Sequence, residues 1–255
     1  GQEFQWIYDS VRYTREATTP GGWSYGCYGP FYGISSDPSN DDRCIVSTIE
    51  TVYLMELDDE GSRSIQSLSS DGYADGTYST RGLNVQTTYG VHEDPFDEQH
   101  LIIPTTDMGM QISYNGGESW RRMEITGTNY DIYNTCYDLY MDRSTKDLVY
   151  GIWSNRHDAP YSPTQSDTGW TQGKFGISTD GGITWDLSYS TGLPEDCIPV
   201  RMSVQENGDA LTIAVATFNR GFYISYDSGK TFSSINSGMN TENGLIWGED
   251  VILTG

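Results

Sequence analysis

One short pattern occurs three times in the chain and constrains its fold more than any other feature. Residues 113–120, 178–185 and 225–232 each carry Ser, then Asp or Asn, then Gly and finally an aromatic ring at the same spacing. Each copy directly follows an isoleucine. In such a pattern the Asp or Asn side chain accepts hydrogen bonds from turn amides, and the glycine adopts a left-handed conformation. The sequence therefore predicts three equivalent β-hairpins.

This pattern resembles the Asp-box, or BNR repeat, of sialidases and related β-propellers. In that family the pattern forms the outer hairpin of a propeller blade. The resemblance implies structural roles for Ser113, Asn115, Gly117, Trp120, Ser178, Asp180, Gly182, Trp185, Ser225, Asp227, Gly229 and Phe232. Because Asp-boxes occur in enzymes, receptors and binding proteins alike, they indicate architecture rather than chemistry.

The three copies belong to a longer repeat. Three short alternating apolar segments precede each copy, and one similar unit without the box lies nearer the N-terminus. The sequence therefore predicts one all-β domain over residues 1–255, a β-propeller of four-stranded antiparallel blades with Asp-box hairpins. The predicted blades are residues 31–70, 86–125, 136–190 and 198–236.

Two terminal segments, residues 4–16 and 244–254, also have the pattern of strands. Either they meet in a shared fifth blade, or this chain of four to five blades is a piece of a larger propeller that another chain or segment completes. We expect the second arrangement, a piece of a larger propeller, because loose strands at both ends also arise when a longer chain is cut. Residues 58–80, rich in Ser, Gly and Asp, are expected to form an irregular surface excursion.

The charge balance excludes two kinds of partner. Fourteen Lys and Arg oppose 36 Asp and Glu, which gives a net charge of −22. Nucleic acids and anionic membranes require a cationic surface, so neither is expected to bind. No apolar run approaches the roughly 18 residues of a membrane span. The acidity and the four cysteines favour a secreted or cell-envelope protein, with either buried thiols or one disulfide.

No sequence motif indicates a cofactor. The three histidines lack the spacing of a zinc site, and none of the cysteines lies in a CxxC pair. No motif indicates a structural calcium ion. We therefore expect neither a metal nor an organic cofactor.

Blade geometry separates structural residues from functional ones. The box turns lie on one face, and the turns between second and third strands lie on the opposite face. Aromatic rings and polar groups on that face suit a sugar, since rings stack on its C–H faces while polar groups bind its hydroxyls. Because a guanidinium matches a carboxylate, an acidic glycan is among the expected ligands. The predicted substrate-binding residues are Arg156, Arg220, Asp158 and Tyr137.

The same face holds the candidate catalytic residues His157, Tyr89 and Asp107. The fourth candidate catalytic residue, His92, is expected to face the axial channel. His157 lies between an arginine and an aspartate in an insertion of residues 154–173, where an imidazole can act as general acid or base. His92 lies on the predicted innermost strand, whereas His100 precedes an apolar run and is expected to be inert.

Two functions follow from this reading. The first is a glycoside hydrolase or uronide lyase, since propeller enzymes of this kind use His or Tyr rather than a carboxylate pair. The Arg-Ile-Pro signature of sialidases is missing, because residues 101–104 read Leu-Ile-Ile-Pro. The alternative is a non-catalytic module that resembles sortilin-type or adhesion propellers and binds a glycan or protein on the same face.

Overall fold

The structure is a computed structural model, and every regular element that it describes is a strand. The protein is therefore all-β in this part of the chain, as predicted. The terminal segments 4–16 and 244–254 lie outside the described residues. Contacts divide the chain into two compact units, residues 1–86 with 118–121 and residues 87–117 with 122–255. The described residues are 33–47, 52–57, 63–82, 87–106, 108–126, 133–156, 172–218 and 220–238.

The first unit contains an antiparallel sheet of four strands that pair in chain order. Val46 and Tyr53 face each other across the second and third strands, and both side chains are buried. This pairing places an apolar cluster on one face of the sheet. The strands are β1 (Gly33–Asp37), β2 (Asn40–Ser47), β3 (Val52–Leu57) and β4 (Arg63–Ser67).

The expectation of an irregular excursion at residues 58–80 was wrong for much of that segment. Beyond β4, strands β5 (Ser70–Gly72) and β6 (Tyr78–Thr80) form a hairpin. Asp75 closes its turn by accepting hydrogen bonds from the Thr77 amide and hydroxyl, at 3.0 and 2.7 Å. The buried Tyr78 pairs through its main chain with Trp120. Turn chemistry and one buried ring therefore order a segment whose composition suggested a loop.

The second unit contains three successive groups of antiparallel strands. The first group is β7 (His92–Asp94), β8 (Asp97–Thr105) and β9 (Gly109–Ser113). Two short strands follow along the chain, β10 (Arg121–Arg122) and β11 (Glu124–Thr126). The second group is β12 (Thr135–Met141), β13 (Val149–Ser154), β14 (Gly173–Ser178) and β15 (Thr184–Asp186). The third group is β16 (Pro199–Asn207), β17 (Ala210–Thr217), β18 (Gly221–Ser225) and β19 (Ser233–Ser234).

Two pairings between these strands depart from a purely antiparallel repeat. Thr135 pairs in parallel with Gly109, which joins the first group to the second. Strand β11 pairs in parallel with β15 along three residues. The segment that follows the first group therefore extends the outer edge of the second group, an arrangement that the repeat did not predict.

Two hydrophobic cores connect the three groups. Each core combines residues from neighbouring groups, so burial of apolar surface holds successive groups face to face. The first core includes Ile102, Met110, Ile112, Leu139, Trp153 and Trp185. The second core includes Ile152, Phe175, Ile198, Ile213, Val215, Tyr223 and Phe232.

The three box turns share one hydrogen-bond pattern. In each, the serine hydroxyl donates to the Asn or Asp side chain at 2.7–2.9 Å and accepts from a glycine amide at 2.8–2.9 Å. Asp180 also accepts from the amide and hydroxyl of Thr184, and Asp227 does the same with Thr231. These aspartates therefore act as turn caps. Two consecutive residues in each turn have positive φ: Gly116, Gly117, Gly181, Gly182, Ser228 and Gly229.

The second and third box turns pack tightly against the preceding strand group. A Cβ atom added at Gly182 would lie 2.8 Å from Ile102, and one at Gly229 would lie 2.3 Å from Phe175. Glycine is therefore required here both for its left-handed conformation and for the close approach.

His100 connects the first strand group to the second box turn. Its side chain is buried, with Nδ1 2.7 Å from the Asp94 carboxylate and Nε2 2.9 Å from the Gly181 carbonyl oxygen. Because a carbonyl can only accept, Nε2 donates to it. The ring also stacks on Tyr114, with centroids 4.4 Å apart. The residue expected to be inert thus has a structural role between two strand groups.

Replacing Trp185 with Ala should lower the free energy of unfolding by about 3–5 kcal/mol, because the side chain is fully buried. Its Nε1 also donates to the Gly182 carbonyl at 2.8 Å, and its ring meets Trp153 edge-on. Denaturant unfolding measures the loss. Tyr226→Ala is the control, since that ring is 68% exposed and its removal should change little. Equal stabilities of the two variants would show that Trp185 does not secure the turn.

The box carboxylates should make the free energy of unfolding depend on pH. Burial alone would raise the pKa of Asp227, but hydrogen bonds from Thr231 and Ser225 outweigh it and lower the pKa from 3.8 to about 2. A carboxyl with a depressed pKa in the folded state stabilises the protein above its unfolded pKa and loses this contribution as the pH falls. The free energy of unfolding should therefore drop between about pH 5 and pH 2.

Asp227→Asn should be less stable at neutral pH and show a shallower loss over that range. Denaturant titrations at several pH values measure the slope. Asp180→Asn should behave alike, because burial raises the Asp180 pKa but the Thr184 hydrogen bonds lower it further. A slope that neither substitution changes would contradict the assigned turn-cap role.

Candidate functional site

The candidate site lies at the end of the strand groups away from the box turns. In the first group, Tyr89 donates its amide to Pro104, near the end of β8, while Leu101 pairs with the box serine. In the second group, Ser154 pairs with Gly173, at the end far from Ser178. The third group repeats this order, with Thr217 opposite Gly221 and Ile213 opposite Ser225.

A continuous row of contacts crosses this end of the second unit. The rings of Tyr89 and Tyr137 lie 4.8 Å apart. The Tyr137 hydroxyl donates to the Arg156 carbonyl at 2.7 Å, and the Arg156 guanidinium carbon lies 5.8 Å from the centre of the Phe218 ring. Tyr137, Arg156 and Phe218 are buried, whereas Tyr89 is half-buried. The row thus forms a packed platform with the half-buried Tyr89 at one end.

A β-bulge places Tyr137 in this row. Cys136 pairs with Trp153 and Asp138 pairs with Ile152, so Tyr137 is the extra residue on β12. A bulge turns a side chain out of the regular alternation, and bulges are frequent beside functional sites. The alternating sequence pattern of β12 does not reveal the bulge, because the bulge depends on pairing with β13.

Arg220 lies two residues after Phe218 and forms an exposed ion pair. Its Nε donates to Asp196 Oδ1 at 3.0 Å, and its Nη2 donates to the other carboxylate oxygen. About half of each side chain is exposed. The hydrogen bond and the charge of Arg220 lower the pKa of Asp196, and Asp196 in turn raises the pKa of Arg220. The two groups therefore form an ion pair at neutral pH.

The main chain around Arg220 is also fixed. Its amide donates to the Thr217 hydroxyl at 2.9 Å, and its carbonyl accepts from the Asn236 side chain at 3.0 Å. Asn236 also accepts from the Phe222 amide at 2.7 Å. The guanidinium therefore projects from a turn that is anchored on both sides.

His92 is the one predicted catalytic histidine that the structure describes. It is half-buried, and burial lowers its pKa, so the imidazole is neutral at pH 7. Its Nε2 lies close to Gly90, where an added Cβ atom would come within 3.3 Å. His92 pairs with Ile102, next to the Leu101 that pairs with the box serine, so it lies closer to the box turns than Tyr89 does. The other predicted residues, Asp107, His157 and Asp158, lie outside the described residues, so their roles stay predictions.

The contacts add two residues that sequence analysis did not single out, Phe218 and Asp196. Phe218 directly follows the apolar strand β17, where a buried aromatic residue gives no distinct signal. Asp196 lies 24 residues before its partner, and nothing in the local sequence connects the two. Only the fold brings these side chains to the site.

The described residues offer no grouping of three or more His, Cys, Asp or Glu side chains that would hold a metal ion. Cys44, Cys136 and Cys197 are free thiols, and burial raises the pKa of the latter two. Cys27 lies outside the described residues. The same part of the chain has no helix long and apolar enough to span a membrane.

Comparison with family models supports the repeat. Residues 177–187 match the BNR/Asp-box repeat model. The chain contains a BNR/Asp-box repeat. The match covers the second box turn, with Ser178, Asp180 and Trp185, and so confirms the resemblance predicted from these residues. No curated protein is detectably similar to the chain in sequence.

Several solved structures resemble the Asp-box chain. A GH74 enzyme from Niastella koreensis is 17% identical, with 81% of this chain and 30% of that chain covered and a TM-score of 0.41. A GH74 xyloglucanase from Xanthomonas campestris is 13% identical, with coverages of 82% and 38% and a TM-score of 0.34. The N-terminal domain of Nup159 is 12% identical, with coverages of 83% and 66% and a TM-score of 0.31.

The chain thus spans 30% and 38% of the lengths of the two GH74 proteins. TM-scores below 0.5 at such low identity assign neither an activity nor a substrate.

Tyr137→Phe should lower the free energy of unfolding by about 1 kcal/mol, because the buried Arg156 carbonyl loses its donor while the ring is retained. Denaturant unfolding measures the difference. Tyr226→Phe, at an exposed position, is the matched control and should be neutral. If both substitutions are neutral, the Tyr137 hydroxyl does not fix this platform.

Proposed function

We propose that the chain is an Asp-box β-propeller, or part of one, that acts on a carbohydrate at the end opposite the box turns. The proposal rests on the contact row from Tyr89 to Phe218 and on the Arg220–Asp196 ion pair. The row offers a half-buried ring beside buried side chains, and about half of each side chain of the ion pair is exposed. An aromatic surface beside fixed polar groups suits a sugar, which offers apolar C–H faces and hydroxyls.

The proposed chemistry is cleavage of a glycosidic bond by hydrolysis or by elimination of a uronide. His92 is the candidate general base among the described residues, because its depressed pKa keeps the imidazole neutral. Tyr89 and Asp107 complete the proposed catalytic set, together with His157 in the insertion. Tyr137 and Arg156 are both buried, so they support the proposed site by packing beneath it.

The alternative is a non-catalytic module that binds a glycan or protein on the same face. The buried state of Tyr137, Arg156 and Phe218 favours this alternative, because these side chains brace a surface and do not present reactive groups to solvent. We also propose a secreted or cell-envelope location, consistent with the acidity of the chain. A further segment or chain is the proposed partner that completes the propeller.

The direct test is a panel of glycans incubated with the protein, with product detection by reducing ends for hydrolysis and by ultraviolet absorbance for unsaturated uronides. Cleavage supports the enzyme, and binding without cleavage supports the module. A wild-type protein that neither binds nor cleaves any member would contradict the proposal.

His92→Ala and His157→Ala should each abolish turnover if these imidazoles exchange protons with substrate, while thermal unfolding stays near that of the wild type for the loop residue His157. With His92 as base, kcat/KM should fall with decreasing pH. The midpoint of this fall should lie below the ordinary histidine pKa of about 6.5, because burial lowers the pKa of His92. Asp180→Asn is the control. It should reduce stability with little change in turnover per folded molecule.

A further inference from the structure

We infer that the contact of His100 with Gly181 is a pH-sensitive latch, closed by the imidazolium form of His100 and opened by its neutral form. When closed, it holds the second box turn on the first strand group. The inference concerns the fold, so it is independent of whether the protein cleaves a glycan or only binds one. It rests on the partners of the two ring nitrogens.

Both ring nitrogens of His100 face oxygen atoms in the interior of the protein. Nε2 lies 2.9 Å from the Gly181 carbonyl oxygen, which can only accept, so Nε2 carries a proton. Nδ1 lies 2.7 Å from Asp94 Oδ2. A neutral imidazole has a single N–H group, so it would turn the lone pair of Nδ1 towards the carboxylate. Protons on both nitrogens satisfy both contacts at once.

The surroundings place the second proton on the ring rather than on the carboxyl group. Asp94 Oδ1 accepts the Phe96 amide at 2.8 Å, and such a hydrogen bond favours the carboxylate form. The side chains of His100 and Asp94 are only 2% and 3% exposed. Burial disfavours an isolated charge, whereas two opposite charges in hydrogen-bond contact compensate each other.

The other titratable groups at this bridge are engaged elsewhere. The ring of Tyr114 stacks on the imidazole, and its hydroxyl donates to the Asp180 carbonyl at 3.5 Å. The Asp180 carboxylate accepts from the turn threonine. Asp147 contacts the turn through its carbonyl oxygen, which accepts a glycine amide. Within the part of the chain that the structure describes, Asp94 is thus the charged group in contact with the ring.

Loss of one proton breaks the contact with the box turn. A carboxylate is a stronger acceptor than a carbonyl, so Nδ1 keeps its hydrogen when the ring becomes neutral. Nε2 then turns a lone pair towards the Gly181 oxygen, and a buried acceptor loses its donor. The fit is close, since a Cβ atom added at Gly181 would lie 3.0 Å from Cε1 of His100. The second box turn should therefore loosen from the first strand group as the pH rises.

Nitrogen-15 NMR of the wild-type protein tests the protonation of each ring nitrogen directly. At about pH 7.5, a histidine with the ordinary pKa of about 6.5 is mostly neutral. His92 is the internal reference, because burial lowers its pKa further. We expect two protonated ring nitrogens in His100 at this pH and one in His92. A single protonated nitrogen in His100 would overturn the inference.

Asp94→Asn tests whether this proton controls the box turn. An amide can donate to Nδ1 of a neutral ring, so His100 should lose its second proton at a pH lower by about one unit or more. In the wild type, the Gly181 amide signal should shift in step with deprotonation of Nε2. Glu98→Gln is the control, since it removes an equal charge at an exposed position of the same strand.

The control should retain the wild-type shift of the Gly181 signal, whereas Asp94→Asn should lose it. An unchanged shift in Asp94→Asn would show that the His100–Asp94 pair does not govern the turn. If Asp94→Asn does not fold, the wild-type spectrum alone decides, because the latch requires Nε2 deprotonation and the Gly181 shift to have one midpoint.

Discussion

The serine hydroxyl that bridges an Asx side chain and a glycine amide is the interaction on which the rest of the structure depends. It holds two successive residues at positive φ in each box turn, including the non-glycine Ser228. The turn is then narrow enough for Gly182 to approach Ile102 and for Gly229 to approach Phe175. These contacts, with the His100 bridge, set how one strand group packs on the next.

Because the box turns occupy one end of the strands, the candidate site lies at the opposite end. The box turns concentrate their hydrogen bonds at one end, where aspartates serve as caps. At the other end, the loops after β13 and β17 bring Arg156 and Phe218 together, and the bulge in β12 adds Tyr137. Side chains from three strand groups meet there only because the boxes and cores fix the groups relative to one another.

The sequence predicted what local chemistry determines. The box residues, the all-β class and the apolar strands follow from short-range patterns, and the structure describes them at those positions. It did not predict the β5–β6 hairpin, whose order depends on Asp75 and on pairing with a distant tryptophan. Nor did it predict the charge state around Arg220, since Asp196 lies 24 residues away. The buried Arg156 shows the same limit, because exposure is a property of packing rather than of residue type.

The most direct test of this account is the position of a bound oligosaccharide, determined by a crystal structure of the complex or by NMR shifts on ligand addition. The account predicts contacts or shifts at Tyr89, Arg220 and Asp196, with none in the box turns. A ligand at the Asp180 or Asp227 turns, with the opposite end unaffected, would contradict the placement of the site.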